Sequence, residues 1–450
     1  MPVSARTIAE LARALRAHET SSEAATTECL ERIAERNPAM NAYITVLADQ
    51  ALAQARQADA ELARGHDRGP LHGVPLSIKD IIDVRGLATT AASKVREGHI
   101  AADDAPVVTR LRDAGAVFLG KTNLHEFALG TTNEESAFGP VRHPLDPNRS
   151  PGGSSGGSAA SVLDGMAYAS IGTDTGGSIR IPAAICGLVG LKPSLHEIPT
   201  QGVVPLSATM DHVGPLCRSV EDAAILYHTL HGSSYTLRPP EKRALRVGVL
   251  RGYFTSLLDP QVGTAFEDAC ATLTRGSAVL DEVHIPHSGD IAPIYVHIVL
   301  AEGAAFHAKT LDSRADDYTV NVRLRLEMGR YILAEDYVRA LRGRDVLSAE
   351  VDTALQDTDA LLLPTIGVPA VRLGAATVKI GSVEEPVRNI MLRLTQLFNI
   401  TGHPAITLPC GKTADGLPIG LQVVGRRNQT SALLAVAQEI ESLLTPHQGL

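Results

Sequence analysis

Apolar positions in the first ~65 residues recur at helical spacing. Thr7 and Glu10 stand at capping-box spacing, and Ile8, Leu11 and Leu15 then share one face. A second helix is predicted from about Ser22 to Arg36. A third, rich in Ala and Gln, is predicted from about Asn41 to Arg64. At Gly73 the pattern changes. Val74-Pro75-Leu76-Ser77-Ile78-Lys79 reads as a short buried strand that ends on a lysine. From there to about residue 250, short apolar runs alternate with helical stretches. Examples are Ala116–Leu119 after a helix Val107–Ala114, and then Ala167–Ile171. This alternation predicts an α/β sheet sandwiched by helices.

Residues 232–246, with Gly232, Ser233, Ser234, Pro239 and Pro240, predict a surface connection. Val247–Leu250 restarts a strand, and a long helical region follows from about 260 to 356. Leu361-Leu362-Leu363, closed by Pro364, predicts a buried strand. Ile406–Pro409 and Ile419–Gly425 predict a hairpin, and Ser431–Leu444 a last helix. No repeat with a period of about 20 to 50 residues is visible, which excludes a solenoid. The expected organisation is one domain over residues 1–450, with residues 1–65 as a helical segment packed on it.

Composition narrows the class. With 44% hydrophobic and 20% charged residues and no long single-sign run, the chain buries a large core and is not disordered. A net charge of −9 argues against nucleic acid as a ligand, because phosphate binding needs clustered Lys and Arg. Five cysteines, Cys29, Cys186, Cys217, Cys270 and Cys410, form no C-x-x-C pair, so neither a disulfide framework nor a zinc ribbon is indicated. Arg6, Glu10 and Arg13 interrupt any signal-peptide core. No run of about 18 or more apolar residues is present, so no membrane span is expected. These observations lead to the expectation of a cytoplasmic protein with no membrane partner.

Two Gly/Ser segments break the texture: Arg149-Ser150-Pro151-Gly152-Gly153-Ser154-Ser155-Gly156-Gly157-Ser158 and Gly172-Thr173-Asp174-Thr175-Gly176-Gly177-Ser178-Ile179-Arg180. Flexible linkers have this composition, but here core-forming segments lie on both sides. Glycines let backbone N–H groups approach a ligand closely, and those of Thr175, Gly176, Gly177 and Ser178 can form an anion-binding nest beside a serine. Acyl transfer requires that arrangement. A serine needs a base, and none of the sixteen histidines sits in a recognisable triad motif. Lys79, after an apolar run, can be buried, and desolvation moves its pKa toward neutrality.

Lys79, Gly152–Ser158 and Gly172–Pro182, taken in order, resemble the amidase-signature family. The similarity covers most of residues 1–230 and returns from Gly402-His403-Pro404-Ala405 through Gly425. It implies an α/β fold with a large twisted mixed sheet covered on both sides by helices. It also implies Lys79 as base, Ser154 as relay through a cis peptide, and Ser178 as nucleophile. The oxyanion donors fall on Thr175 to Ser178. No metal and no organic cofactor is implied. The implied reaction is hydrolysis of an amide, anilide, carbamate or ester of a small molecule through an acyl-enzyme, by a monomer or homodimer.

Around these residues, Asp174 and Arg180 are expected to pair and hold the loop, and Ser155 to hydrogen-bond within the site. Gly130 and Thr131 match positions at the family's substrate entrance. His72, His125 and His212 are expected to be structural. Gly153-Ser154-Ser155-Gly156-Gly157 formally matches a G-x-S-x-G elbow with Ser155 attacking, but Arg149-Ser150-Pro151 is not strand-like. The chain also resembles the glutamine-hydrolysing component of tRNA-dependent amidotransferases. Arg344 is matched there to an arginine that holds glutamine, and Leu392 falls where that family carries an Asp for the amino group. Phe306, Tyr318, Tyr331, Tyr337 and Phe398 are candidates for an aromatic pocket and equally for core.

Overall fold

A computed structural model describes residues 6–235 and 244–445. The middle of the connection expected at 232–246 therefore lies outside the described residues. Thirteen strands are present among the described residues: β1 (Tyr43–Val46), β2 (Pro75–Lys79), β3 (Val117–Thr122), β4 (Ala169–Asp174), β5 (Val189–Lys192), β6 (His212–Cys217), β7 (Arg246–Leu250), β8 (Val279–Val283), β9 (Ala360–Pro364), β10 (Thr377–Ile380), β11 (Val383–Pro386), β12 (Ala405–Lys412) and β13 (Pro418–Val424). Eleven form one sheet in the order β1-β3-β2-β4-β6-β5-β12-β13-β9-β7-β8, and β10 and β11 form a separate hairpin.

The sheet is mixed. β2 runs parallel to β3 and β4, and β7 parallel to β8 and β9, while the centre from β4 to β9 is antiparallel. Every residue of β2 to β6, β9 and β13 is buried, which requires cover on both faces. Helix Gly156–Leu163 packs on β2 and β4, Val220–His231 on β6, and Arg180–Cys186 on β12 and β13.

Two sequence expectations need correction. The predicted helix 41–64 begins with strand β1, because Asn41 takes a left-handed conformation (φ 56°) that ends the preceding helix at Met40. The β-branched run that follows pairs as an edge strand with β3. The predicted helical region 260–356 contains β8, an edge strand parallel to β7 whose mostly exposed residues carry no apolar run. Helix Ser288–Asp317 is long and apolar enough by composition alone to cross a membrane, but half of its apolar window is buried in the fold, as in a core helix, so the expectation of no membrane span is not overturned.

Candidate active site

The carboxyl ends of the parallel strands β2 and β4 lie side by side, with Ile78 level with Ile171. This is where open α/β sheets place their ligands. Lys79 ends β2 and is fully buried. Its Nζ donates to Ser154 Oγ and Thr173 Oγ1, each at 2.8 Å. Burial pushes the amine down to about pKa 7, against the smaller opposing pull of Asp174 and Asp211. Near neutrality a large fraction is therefore the free base.

Ser154 lies in the coil before helix Gly156–Leu163, and the Gly153–Ser154 peptide bond is cis. The Ser154 carbonyl accepts from the His125 N–H at 3.1 Å. Ser155 donates through its N–H to the Ser178 carbonyl (3.2 Å) and through Oγ to the Thr173 carbonyl (3.2 Å), which ties the two Gly/Ser loops together. No strand precedes Ser155, so the elbow geometry is not met. Gly130 and Thr131 belong to the segment that abuts the Ser154 loop. A Cβ on Gly153 would fall 2.8 Å from the Asn133 nitrogen and 3.0 Å from the Thr131 carbonyl carbon.

Ser178 is 6% exposed and precedes helix Arg180–Cys186. Its loop is held by a buried ion pair. The Asp174 carboxylate accepts from Arg180 Nε and Nη2 (3.0 Å each), from Asn399 Nδ2 (2.8 Å), and from the Gly177 and Ile179 N–H groups (2.8 and 3.1 Å). Burial alone would raise its pKa, but Arg180 holds it well below the usual carboxylate range. Arg180 completes its donors on Thr395 O, Gln422 Oε1 and Asn399 Oδ1.

The anion nest is smaller than the sequence suggests. The Gly177 N–H is committed to Asp174 Oδ1. Among the described residues the N–H groups of Thr175, Gly176 and Ser178 have no acceptor, so three donors remain. Gly177 adopts φ +138°, and a Cβ there would collide with Thr395 Oγ1, which itself donates to the Gly176 carbonyl at 2.6 Å. Thr175 Oγ1 donates to Asp211 at 2.5 Å.

His212 bonds to the carbonyls of Met210 and Asp174, and His72 lies 3.1 Å from Glu61. His125 is buried, and among the described residues neither of its ring nitrogens has a partner. Arg344 lines a cavity with His196, Ser348 and Arg427 that includes no residue of the 174–178 loop. The aromatic candidates do not gather at the loop. Phe306 and Tyr331 are exposed, Phe398 is core, and Tyr318 bonds to Thr310 and His307. The aromatic residue that does reach the loop is Tyr295. The sequence does not single out Tyr295, Thr173, Asp211, Thr395, Asn399 or Gln422. A glutamine inside the apolar strand Pro418–Val424 is the one available signal.

The same chain matches the family model described as Amidase over residues 24–434. The chain belongs to the amidase family. It is 39% identical over 98% of its length to an amidase of Pseudomonas putida, spanning 97% of that protein. It is 37% identical over 99% of its length to the A component of the glutamyl-tRNA(Gln) amidotransferase of Koribacter versatilis (strain Ellin345), spanning 99% of it. A crystal structure of an amidase superposes with a TM-score of 0.93 at 38% identity, covering 98% of this chain and all of that one. Like its family, this amidase acts on C–N bonds, and its mixed sheet with surrounding helices is the family's fold.

Proposed function

We propose that this amidase hydrolyses a small-molecule amide, anilide or carbamate, with esters also within reach of its chemistry, through Ser178, Ser154 and Lys79. The observation that carries this reading is the fully buried Lys79 amine, at about pKa 7 and 2.8 Å from Ser154 Oγ. Neutral Lys79 accepts the Ser154 proton as Ser154 accepts that of Ser178. Ser178 Oγ attacks the carbonyl carbon. The N–H groups of Thr175, Gly176 and Ser178 meet the oxyanion, each such donor contributing on the order of 3 kcal/mol. The relayed proton goes to the leaving nitrogen, the C–N bond breaks, and water releases the acid by the same relay. The net charge of −9 supports a small molecule over a nucleic acid. Five unpaired cysteines fit a reducing, cytoplasmic setting.

A second reading, the glutamine-hydrolysing component of a tRNA-dependent amidotransferase, is supported by the 37% identity to such a protein. Against it stands Leu392, an apolar side chain beside Gly176 where an amino group would need an acid. Arylamine release from an acyl anilide and an aryl carbamate by the purified chain, lost in Ser178→Ala, is the expected result. Ammonia release from glutamine alone, or silence until partner proteins are added, would replace this reading with the second.

A further inference from the structure

Tyr295, on helix Ile291–Arg314, is 3% exposed, and a Cβ on Gly176 would collide with its hydroxyl. Leu392, on helix Val387–Leu392, reaches the same point at 3.1 Å. Arg388 lies one turn before Leu392, and both line a cavity of about 390 Å³, whose wall reaches the 174–178 loop through Leu392 and not through Tyr295 or the loop's own residues. The Arg388 side chain is half-buried. Among the described residues it has no ion pair and no hydrogen bond, and its Nε is buried without a partner. The one acid in the cavity wall, Glu385, does not pair with it. Arg393, in the same wall, also leaves its Nε without a partner, but its Nη2 donates to the Tyr253 carbonyl and its guanidinium stacks on the Tyr253 ring at 3.7 Å.

The neighbourhood adds positive charge, and the acids that act on Tyr295, Asp174 and Asp211, are taken up by Arg180 and by Thr175. Among the described residues Arg325 donates to the Leu129 carbonyl alone (3.1 Å), and Glu135 is the acid that acts on it. His125 is held down at about pKa 3 by burial first, and then by Arg325, Arg388 and Lys79, so these cations act on one region. Arg388 and Tyr295 likewise act on each other. A desolvated guanidinium without an acceptor is costly, and a carboxylate is its best partner, held by two parallel N–H donors.

We propose that the substrate carries a carboxylate and that Arg388, with the Tyr295 hydroxyl beside it, receives that group while the scissile carbonyl sits over the nucleophile loop. This assignment rests on the amidase reading above and narrows its substrate class to short anionic amides.

The test compares succinic acid mono-4-nitroanilide with uncharged pentanoic acid 4-nitroanilide, in the wild type and in Arg388→Gln and Arg388→Lys. Succinate binding to Ser178→Ala, with and without Arg388→Gln, is measured by calorimetry. Circular dichroism and Tm check that each variant folds. The wild type is expected to prefer the anionic anilide. Arg388→Gln is expected to lower its kcat/KM by about 10- to 100-fold, mostly through KM, with a far smaller loss on the neutral one. Arg388→Lys should recover part of the loss. A wild-type preference for the neutral anilide, or equal losses on both, would overturn the proposal. If neither anilide is cleaved, the catalytic reading fails on its own. Succinate binding that Arg388→Gln abolishes would then still support the anion site, and absent succinate binding would overturn it.

Discussion

Three lysines end strands in this sheet, and two of them, Lys79 on β2 and Lys192 on β5, are fully buried. Burial drives both amines below the ordinary lysine pKa, Lys79 to about 7 and Lys192 well below its ordinary value. Their neighbours differ. Lys79 faces two hydroxyls, Ser154 Oγ and Thr173 Oγ1. Lys192 faces the carbonyls of His403 (2.6 Å) and Pro193 (3.0 Å), and His212 Nε2 at 3.2 Å. A carbonyl only accepts, so Lys192 is a clamp between β5 and the turn before β12. A hydroxyl both accepts and donates, so Lys79 can take a proton from one. Depressed pKa alone does not make a base. In the proposed mechanism the base is the amine whose neighbour has a proton to give and leads to the attacking serine.

Substitutions at both lysines probe this contrast. Lys79→Met and Ser178→Ala are expected to lower kcat/KM on an anilide by on the order of 10⁴-fold or more, since members of such a relay fail together. An equal loss in Lys192→Met would erase the distinction. Asp174→Ala strands the Arg180 guanidinium and should cost about 3–5 kcal/mol in urea unfolding, more than any change at Lys192. Lys192→Met leaves two buried carbonyls unpaired and should cost roughly 2–4 kcal/mol of stability while keeping most of the activity. Thr173→Val removes one hydroxyl from Lys79 and should cost about 1 kcal/mol, read as a roughly fivefold drop in kcat/KM.

The chain displays one half of this site and conceals the other. Lys79, the Ser154 run and the Ser178 loop are contiguous or lie at strand ends, so periodicity and glycine content expose them. Strands β2, β4, β9, β12 and β13 are legible for the same reason, as apolar runs with clear stops. Thr395, Asn399 and Arg388 lie more than 200 residues further along the chain than the 174–178 loop, and nothing local distinguishes them from surface polar residues, while Gln422 shows only as a polar residue inside an apolar strand. Lys192 is equally silent: its sequence context, Val189-Gly190-Leu191-Lys192, has the same form as that of Lys79. The edge strands β1 and β8 escape a pattern-based reading because an exposed edge carries little apolar pattern. The Gly177 donor is overcounted from sequence because only the fold reveals that Asp174 already uses it.

The most direct test of Lys79 as the base is the rate at which a fluorophosphonate labels Ser178 as a function of pH, a readout that needs no natural substrate. The folded-state pKa is depressed to about 7, so the neutral, competent amine increases as pH rises through that value. The labelling rate of the wild type is expected to climb about tenfold per unit below pH 7 and to level off above it, with Lys79→Met slow and flat. A flat wild-type profile between about pH 5 and 9, or the same climb in Lys79→Met, would contradict the assignment.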